Sequence, residues 1–267
     1  MSLFLIFAFL FGLLIGSFLN VVVLRFRTGR GLGGRSSCGS CRHVLRWFEL
    51  IPLFSFLFQR GRCRACCAHI SWQYPIVEIL TGILFTLALS KAFSAGILIP
   101  LHALHLAFIM SILVVITVYD IRHTIIPDSL VYTFAALALS YGFMPYAIIP
   151  YAPWWYPFVS GLIAAFPFAF LWFVSGGRWM GFGDAKLSLG IGFMLGILGS
   201  ISALIWAFWS GALVSLALII LSKTRLRWGS SGLTMKSEVP FAPFLILGLL
   251  IVLFGSIDIL TLIGYIS

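Results

Sequence analysis

The stretch SLFLIFAFLFGLLIGSFLNVVVL, residues 2–24, carries no charged side chain. A membrane-spanning helix needs about 20 mostly apolar residues, so this run alone can cross a bilayer. No basic residue precedes its apolar core, which argues against a cleaved signal peptide. It therefore reads as a retained helix. Further apolar runs follow at 74–89, 97–119 and 129–141. Residues 129–177 contain no charge, which is too long for one span. Pro145, Pro150, Pro153 and Pro157 divide them, and Tyr146, Tyr151, Trp154, Trp155 and Tyr156 crowd the same break. Such aromatics favour the membrane–water boundary. A fifth span is predicted over 158–174, two shorter helices over 187–222 with a turn near Gly199-Ser200, and a last span over 241–263. The expected fold is all-α: a polytopic transmembrane bundle of about eight helices. Its parts are a first membrane helix (1–24), a polar loop domain (25–73) and a membrane core (74–267). No internal repeat is visible.

Composition supports this map. Of the 267 residues 61% are hydrophobic and 9% charged, against about 25% charged in soluble domains. Soluble, disordered and collagen-like classes are excluded. The formal charge is +10, from 17 Lys and Arg against 7 Asp and Glu. The basic residues lie between apolar spans, which points to loops on the cytoplasmic side and away from nucleic acid. With the N-terminus outside, 16 of the 17 basic residues fall on inner connections and only Lys91 falls outside. Anionic lipid headgroups are the expected neighbours of that basic face.

The loop 25–73 holds nine Arg and all five cysteines. Cys38, Cys41, Cys63 and Cys66 form C-x2-C-x21-C-x2-C, two knuckles able to present four thiolates tetrahedrally to zinc. Free or redox-active thiols are the alternative. A four-thiolate site leaves no open position, so the zinc would be structural. Cys67 could compete with Cys66, and His43 and His69 are possible substitute ligands.

Asp120 ends the span 97–119 in the run DIRHTIIPD, residues 120–128, and Asp184 lies in GFGDAK, residues 181–186, just before the next helix. Parity brings both to the inner membrane edge. Ionisable groups beside apolar spans are costly and usually functional. Two carboxylates meeting there would supply one acid and one base for water attack on a peptide carbonyl. Gly181 and Gly183 would let backbone approach the site. Helix capping is the plainer role for Asp128 and also fits Asp184; it fits Asp120 poorly, because a carboxylate at a helix C-terminus opposes the dipole. Asp258, His102 and His105 read as structural.

Five motifs in order resemble the bacterial type IV prepilin peptidases, a family of polytopic GxGD-type aspartyl proteases. They are GSFLNVV (16–22) with Arg25; the cysteine loop with RGRC (60–63), Ile70-Ser71, Tyr74-Pro75, Glu78 and Thr81; Asp120 with Pro127-Asp128; GFGDAKL (181–187) with Gly192 and Leu195-Gly196; and PFAPFL (240–245). The resemblance implies an endopeptidase that removes the short basic leader from type IV prepilins or secretion pseudopilins at the cytoplasmic face of the inner membrane. It implies Asp120 and Asp184 as the catalytic pair, with Gly181, Gly183, Lys186 and Asp128 supporting. It also implies N-methylation of the new N-terminal residue with S-adenosylmethionine, an activity tied to the cysteine loop and to Glu78. Three departures stand out: Leu50 replaces the usual Asn, the first knuckle lacks its Pro, and Ala242 replaces a Gly. Two other classes stay open on residues alone. A proton transporter would need its acids near the bilayer midplane between matched repeats; a membrane scaffold would need neither aspartate.

Overall fold

The structure, a computed structural model, describes residues 2–28, 31, 33–96, 99–145, 147, 152–225 and 240–255, with side chains described to residue 220 and again from residue 240. Tyr146, Pro150, Tyr151, Arg227, Lys236, Asp258 and the end of the last expected span lie outside them. Eight α-helices run in order: α1 (Ser2–Arg25), α2 (Phe54–Phe58), α3 (Gln73–Ala95), α4 (Ile99–His123), α5 (Asp128–Gly142), α6 (Tyr156–Ser175), α7 (Phe182–Arg225) and α8 (Ala242–Gly255). Among the described residues there is no strand, only two isolated β-bridges. Among the described residues five helices, α1, α3, α4, α6 and α7, are long and apolar enough to cross a membrane. The chain is a multi-pass membrane protein.

The chain forms two compact units, Met1–Val115 and Ile116–Ser267, with α4 contributing to both. In the first unit α1 packs along α3. Gly12 and Gly16, one turn apart on α1, set how closely. A Cβ on Gly12 would stand 2.7 Å from the Gly82 Cα, and one on Gly16 2.8 Å from the Glu78 Cα. Lipid tails provide no hydrophobic drive between helices, so such backbone approach carries the association. Gly16→Leu is expected to cost about 2–3 kcal/mol through overpacking. Thermal unfolding in detergent should show the drop, while Gly31→Leu, with nothing within 4 Å of its added Cβ, should not.

In the second unit α7 is the hub, packing on α5, α6 and α8. It is two helices. Gly196 (φ 74°, ψ −176°) separates a limb of residues 182–195 from one of 197–225. The neighbours show that the chain reverses there. Along the first limb, Trp172 of α6 meets Phe182, and Gly161 meets Phe193, so this limb runs antiparallel to α6. Along the second, the Tyr156 hydroxyl accepts from the Ile197 N–H at 3.2 Å, and Phe168 stacks on Phe208, so this limb runs parallel to α6. The turn expected at Gly199-Ser200 is thus corrected to Gly196. Only glycine reaches that positive φ without strain, and the surrounding residues are equally apolar on both sides of it. Counting the two limbs, and setting aside the loop helix α2, eight helices match the expected bundle.

Candidate active site and metal centre

The C-terminal end of α4 and the N-terminal ends of α5, α7 and α8 come together in the second unit. Asp120 lies in the last turn of α4, which continues to His123, and is 4% exposed. Its Oδ2 accepts a hydrogen bond from the Ala242 backbone N–H at 3.2 Å. Ala242 opens α8, whose first N–H groups have no partner within the helix. Phe244 and Leu245 N–H both turn back to the Phe241 carbonyl, and Pro243 has none to offer. Asp120 therefore opposes the dipole of its own helix while satisfying the N-terminus of another.

Asp184 is 8% exposed and sits inside the first turn of α7, not before the helix as expected. The helix starts at Phe182, so Gly183 and Asp184 both lie in its first turn. The two carboxylates are close enough for their charges to repel. Among the described residues no hydrogen bond reaches Asp184. A Cβ on Gly183 would press on the Ile126 side chain at 3.0 Å, whereas Gly181 is open. Close approach is thus required at Gly183 only. Both acids stand at helix ends, which disfavours a relay at the bilayer midplane.

Asp128 does not cap α5. Pro127 is the N-cap residue, and the Asp128 Oδ1 instead accepts from the Lys186 ammonium at 2.7 Å. The same ammonium lies 5.1 Å from the Tyr132 ring centre and 5.4 Å from that of Phe182. This pair ties the start of α5 to the turn that carries Asp184.

In the first unit the four sulfurs of Cys38, Cys41, Cys63 and Cys66 lie within 4.8 Å of one another, Cys38 and Cys66 at 3.8 Å. Zinc–sulfur bonds of about 2.3 Å in a tetrahedron require edges near that length, so the donor set fits zinc. The two knuckles repeat one design. In each, the first Cys N–H donates to the carbonyl five residues on (His43, Ala68), and the residue four on donates back to the first Cys carbonyl. That fourth residue takes positive φ: Arg42 at 59°, Cys67 at 57°. Cys67 is therefore the turn residue, outside the sulfur cluster, and neither His43 nor His69 joins it. N–H donation from Cys41 and Ser40 lowers the Cys38 thiol to about 6. The Cys66 thiol is helped down by the Ala68 N–H, yet the sulfurs of Cys41, Cys63 and Cys38 crowd it and push it up to about 12. Four sulfurs this close cannot all carry charge without a cation among them.

Two comparisons bear on this arrangement. Residues 10–92 match the "Bacterial Peptidase A24 N-terminal domain" and residues 107–216 the "Type IV leader peptidase family". The chain is 32% identical over 253 residues to a prepilin leader peptidase/N-methyltransferase of Bacillus subtilis, covering 93% of both chains. The chain belongs to the type IV leader peptidase family. A relative of the same description from Aeromonas hydrophila is 31% identical, covering 93% of this chain and 90% of its own. One from Myxococcus xanthus is 37% identical over 171 residues, 57% of this chain and half of the relative. No solved structure matches the chain.

Within this leader peptidase the departure at Ala242 is benign: the contact to Asp120 uses the backbone N–H, and the buried Cβ finds room. The PFAP motif is plain in the sequence, but its contact with Asp120 is not. Two prolines bracketing a pair of N–H donors at the start of an apolar run were the available signal. Glu78 is buried, and its Oε2 accepts from the Leu53 N–H at 2.9 Å. It pins the loop to α3. Asn20, also buried, donates to the Gly16 and Tyr74 carbonyls and accepts from Gln73, joining α1 to the start of α3. His102 is buried, in keeping with a core role.

Proposed function

We propose that this chain is a prepilin leader peptidase with a second, N-methylating activity. It cleaves the leader of type IV prepilins or pseudopilins at the cytoplasmic face of the inner membrane. The observation that carries the proteolytic reading is the meeting of two buried carboxylates, Asp120 and Asp184, at the shared end of four helices. Span parity along the sequence, which assigns 16 of the 17 basic residues to one side, supports an outside N-terminus and a cytoplasmic site. A prepilin is an apolar helix with a polar leader, so its scissile bond arrives at that depth without entering lipid.

The positive end of α8 and the Ala242 N–H favour negative charge on Asp120. Asp120 is thereby suited to take a proton from the attacking water as its oxygen bonds to the scissile carbonyl carbon. Asp184 gives its proton to the carbonyl oxygen; as the tetrahedral intermediate collapses and the C–N bond breaks, Asp120 passes the water-derived proton to the leaving amine and Asp184 regains a proton from the diol hydroxyl. Gly183 and the Lys186–Asp128 pair hold the turn that carries Asp184. Zinc held by Cys38, Cys41, Cys63 and Cys66 shapes the loop domain 25–73, between the helix 1–24 and the core 74–267.

S-adenosylmethionine, when bound, supplies the methyl group for the new N-terminal amine. The cavity beside the second knuckle is lined by Arg60, Arg62 and Arg64. These guanidinium groups oppose a sulfonium cation, so the cavity suits the methyl donor poorly. Glu78 serves methyl transfer by fixing the loop against α3.

The test is mass spectrometry of a model prepilin incubated with the purified enzyme, with and without S-adenosylmethionine. Loss of the leader mass, and a methyl mass on the product when the donor is present, are expected. An intact prepilin beside a folded enzyme would refute the reading. The base assignment has its own test. Ala242→Pro removes one N–H at a helix position where proline is tolerated, whereas Ala242→Gly keeps it. The proline variant is expected to lose about tenfold or more in kcat, the worth of a charged hydrogen bond, with KM little changed. Equal kcat in the two variants would remove Asp120 from the base role.

A further inference from the structure

We propose that α2 and the arginines after it form an interfacial anchor that binds anionic phospholipid headgroups of the bilayer the chain spans. This inference rests on the membrane fold and is independent of the catalytic assignment.

Depth is the first argument. The Leu53 N–H, one residue before α2, is bonded to Glu78, five residues into α3. At about 1.5 Å per residue, α2 is held beside the first two turns of a membrane-spanning helix, at the level of the headgroups. Exposure is the second. Phe56 turns inward, its ring 5.0 Å from that of Trp72 and in contact with Gly61. Phe54, Leu57 and Phe58 turn outward, Phe58 with 85% of its surface uncovered. A short helix presenting three bulky apolar side chains at that depth matches a segment lying in the interface plane.

Charge identifies the occupant. Phe54 and Phe58 open, with Arg60, Arg62 and Arg64, onto a cavity of about 910 Å³ that no carboxylate lines. In residues 25–73 the lone acid against nine Arg is Glu49, which is buried and accepts from the Arg46 N–H. An apolar floor beside three guanidinium groups suits a phosphate headgroup with the start of its acyl chains. A sulfonium cofactor or a basic leader peptide would meet repulsion instead. Bound anionic lipid would neutralise this face, so a basic leader could approach a surface whose bare charge repels it.

Hydrogen exchange of the full-length protein in nanodiscs tests the proposal. Peptides covering residues 53–64 are compared in phosphatidylcholine alone and in a phosphatidylcholine–phosphatidylglycerol mixture. Exchange is expected to slow several-fold with phosphatidylglycerol, and high salt should reverse part of that slowing. Arg60→Gln combined with Arg62→Gln and Arg64→Gln should abolish the lipid response. So should Leu57→Ser with Phe58→Ser, which alters exposed side chains only and should keep full zinc content. Equal exchange in both nanodiscs would overturn the anchor. So would slowing by S-adenosylmethionine without any response to phosphatidylglycerol, which would assign the cavity to the methyl donor.

Discussion

Asp184→Asn is expected to abolish leader cleavage, with a fall of about 10²–10⁴-fold or more, the usual contribution of a positioned acid or base. The side chain is buried and approached by no hydrogen bond among the described residues, so the amide changes proton chemistry and little else. Asp184 is the protonated member of the pair, so asparagine replaces one neutral buried group with another of the same shape. The variant should therefore melt at the same temperature as the parent. Asp120→Asn should lose activity as completely, since its amide oxygen can still accept from Ala242 while no longer taking a proton. Mass spectrometry of the prepilin and thermal unfolding of each variant decide the matter together. Full cleavage by either folded variant would remove that residue from the catalytic pair.

Loss of zinc is the second large effect. Structural zinc contributes about 10–16 kcal/mol of apparent binding free energy in small zinc domains at neutral pH, more than the few local contacts of this loop can replace. Cys63 is the buried cysteine of the four, so with zinc at the proposed site Cys63→Ser is expected to release the metal and unfold the knuckles. Cys67→Ser should keep the metal, because Cys67 occupies a turn position outside the sulfur cluster. Methyl transfer should disappear in the Cys63 variant. Leader cleavage should persist, because Asp120 and Asp184 both belong to the second unit. Metal content and product mass give the two readouts, and zinc retained at full stoichiometry by the Cys63 variant would contradict the site. Acid should act like the mutation: ligation requires thiolates, so zinc affinity falls as pH drops and the sulfurs recapture protons.

Length and local spacing determined a great deal about this protein. An uncharged run of 23 residues has few options besides crossing a membrane, and the basic residues between such runs orient the chain. Each C-x2-C knuckle closes over a few residues, so its ligand geometry is nearly written in its spacing. Asp120 and Asp184 stood out because a carboxylate beside an apolar span is costly. The reversal at Gly196 was less legible, since both limbs it joins are apolar and lipid leaves no polar signal at the turn. The same holds for the close approaches of Gly16 and Gly192, where the missing Cβ matters only against a particular neighbour.

Only the tertiary structure decided who partners whom. Asp120 and Ala242 are 122 residues apart, and their contact depends on helix packing that spacing along the chain does not encode. It also moved Asp128 from a capping role to Lys186, and placed Glu78 against the backbone of Leu53. Local chemistry sets which helices and knuckles form; close packing between distant helices sets which polar groups they bring together.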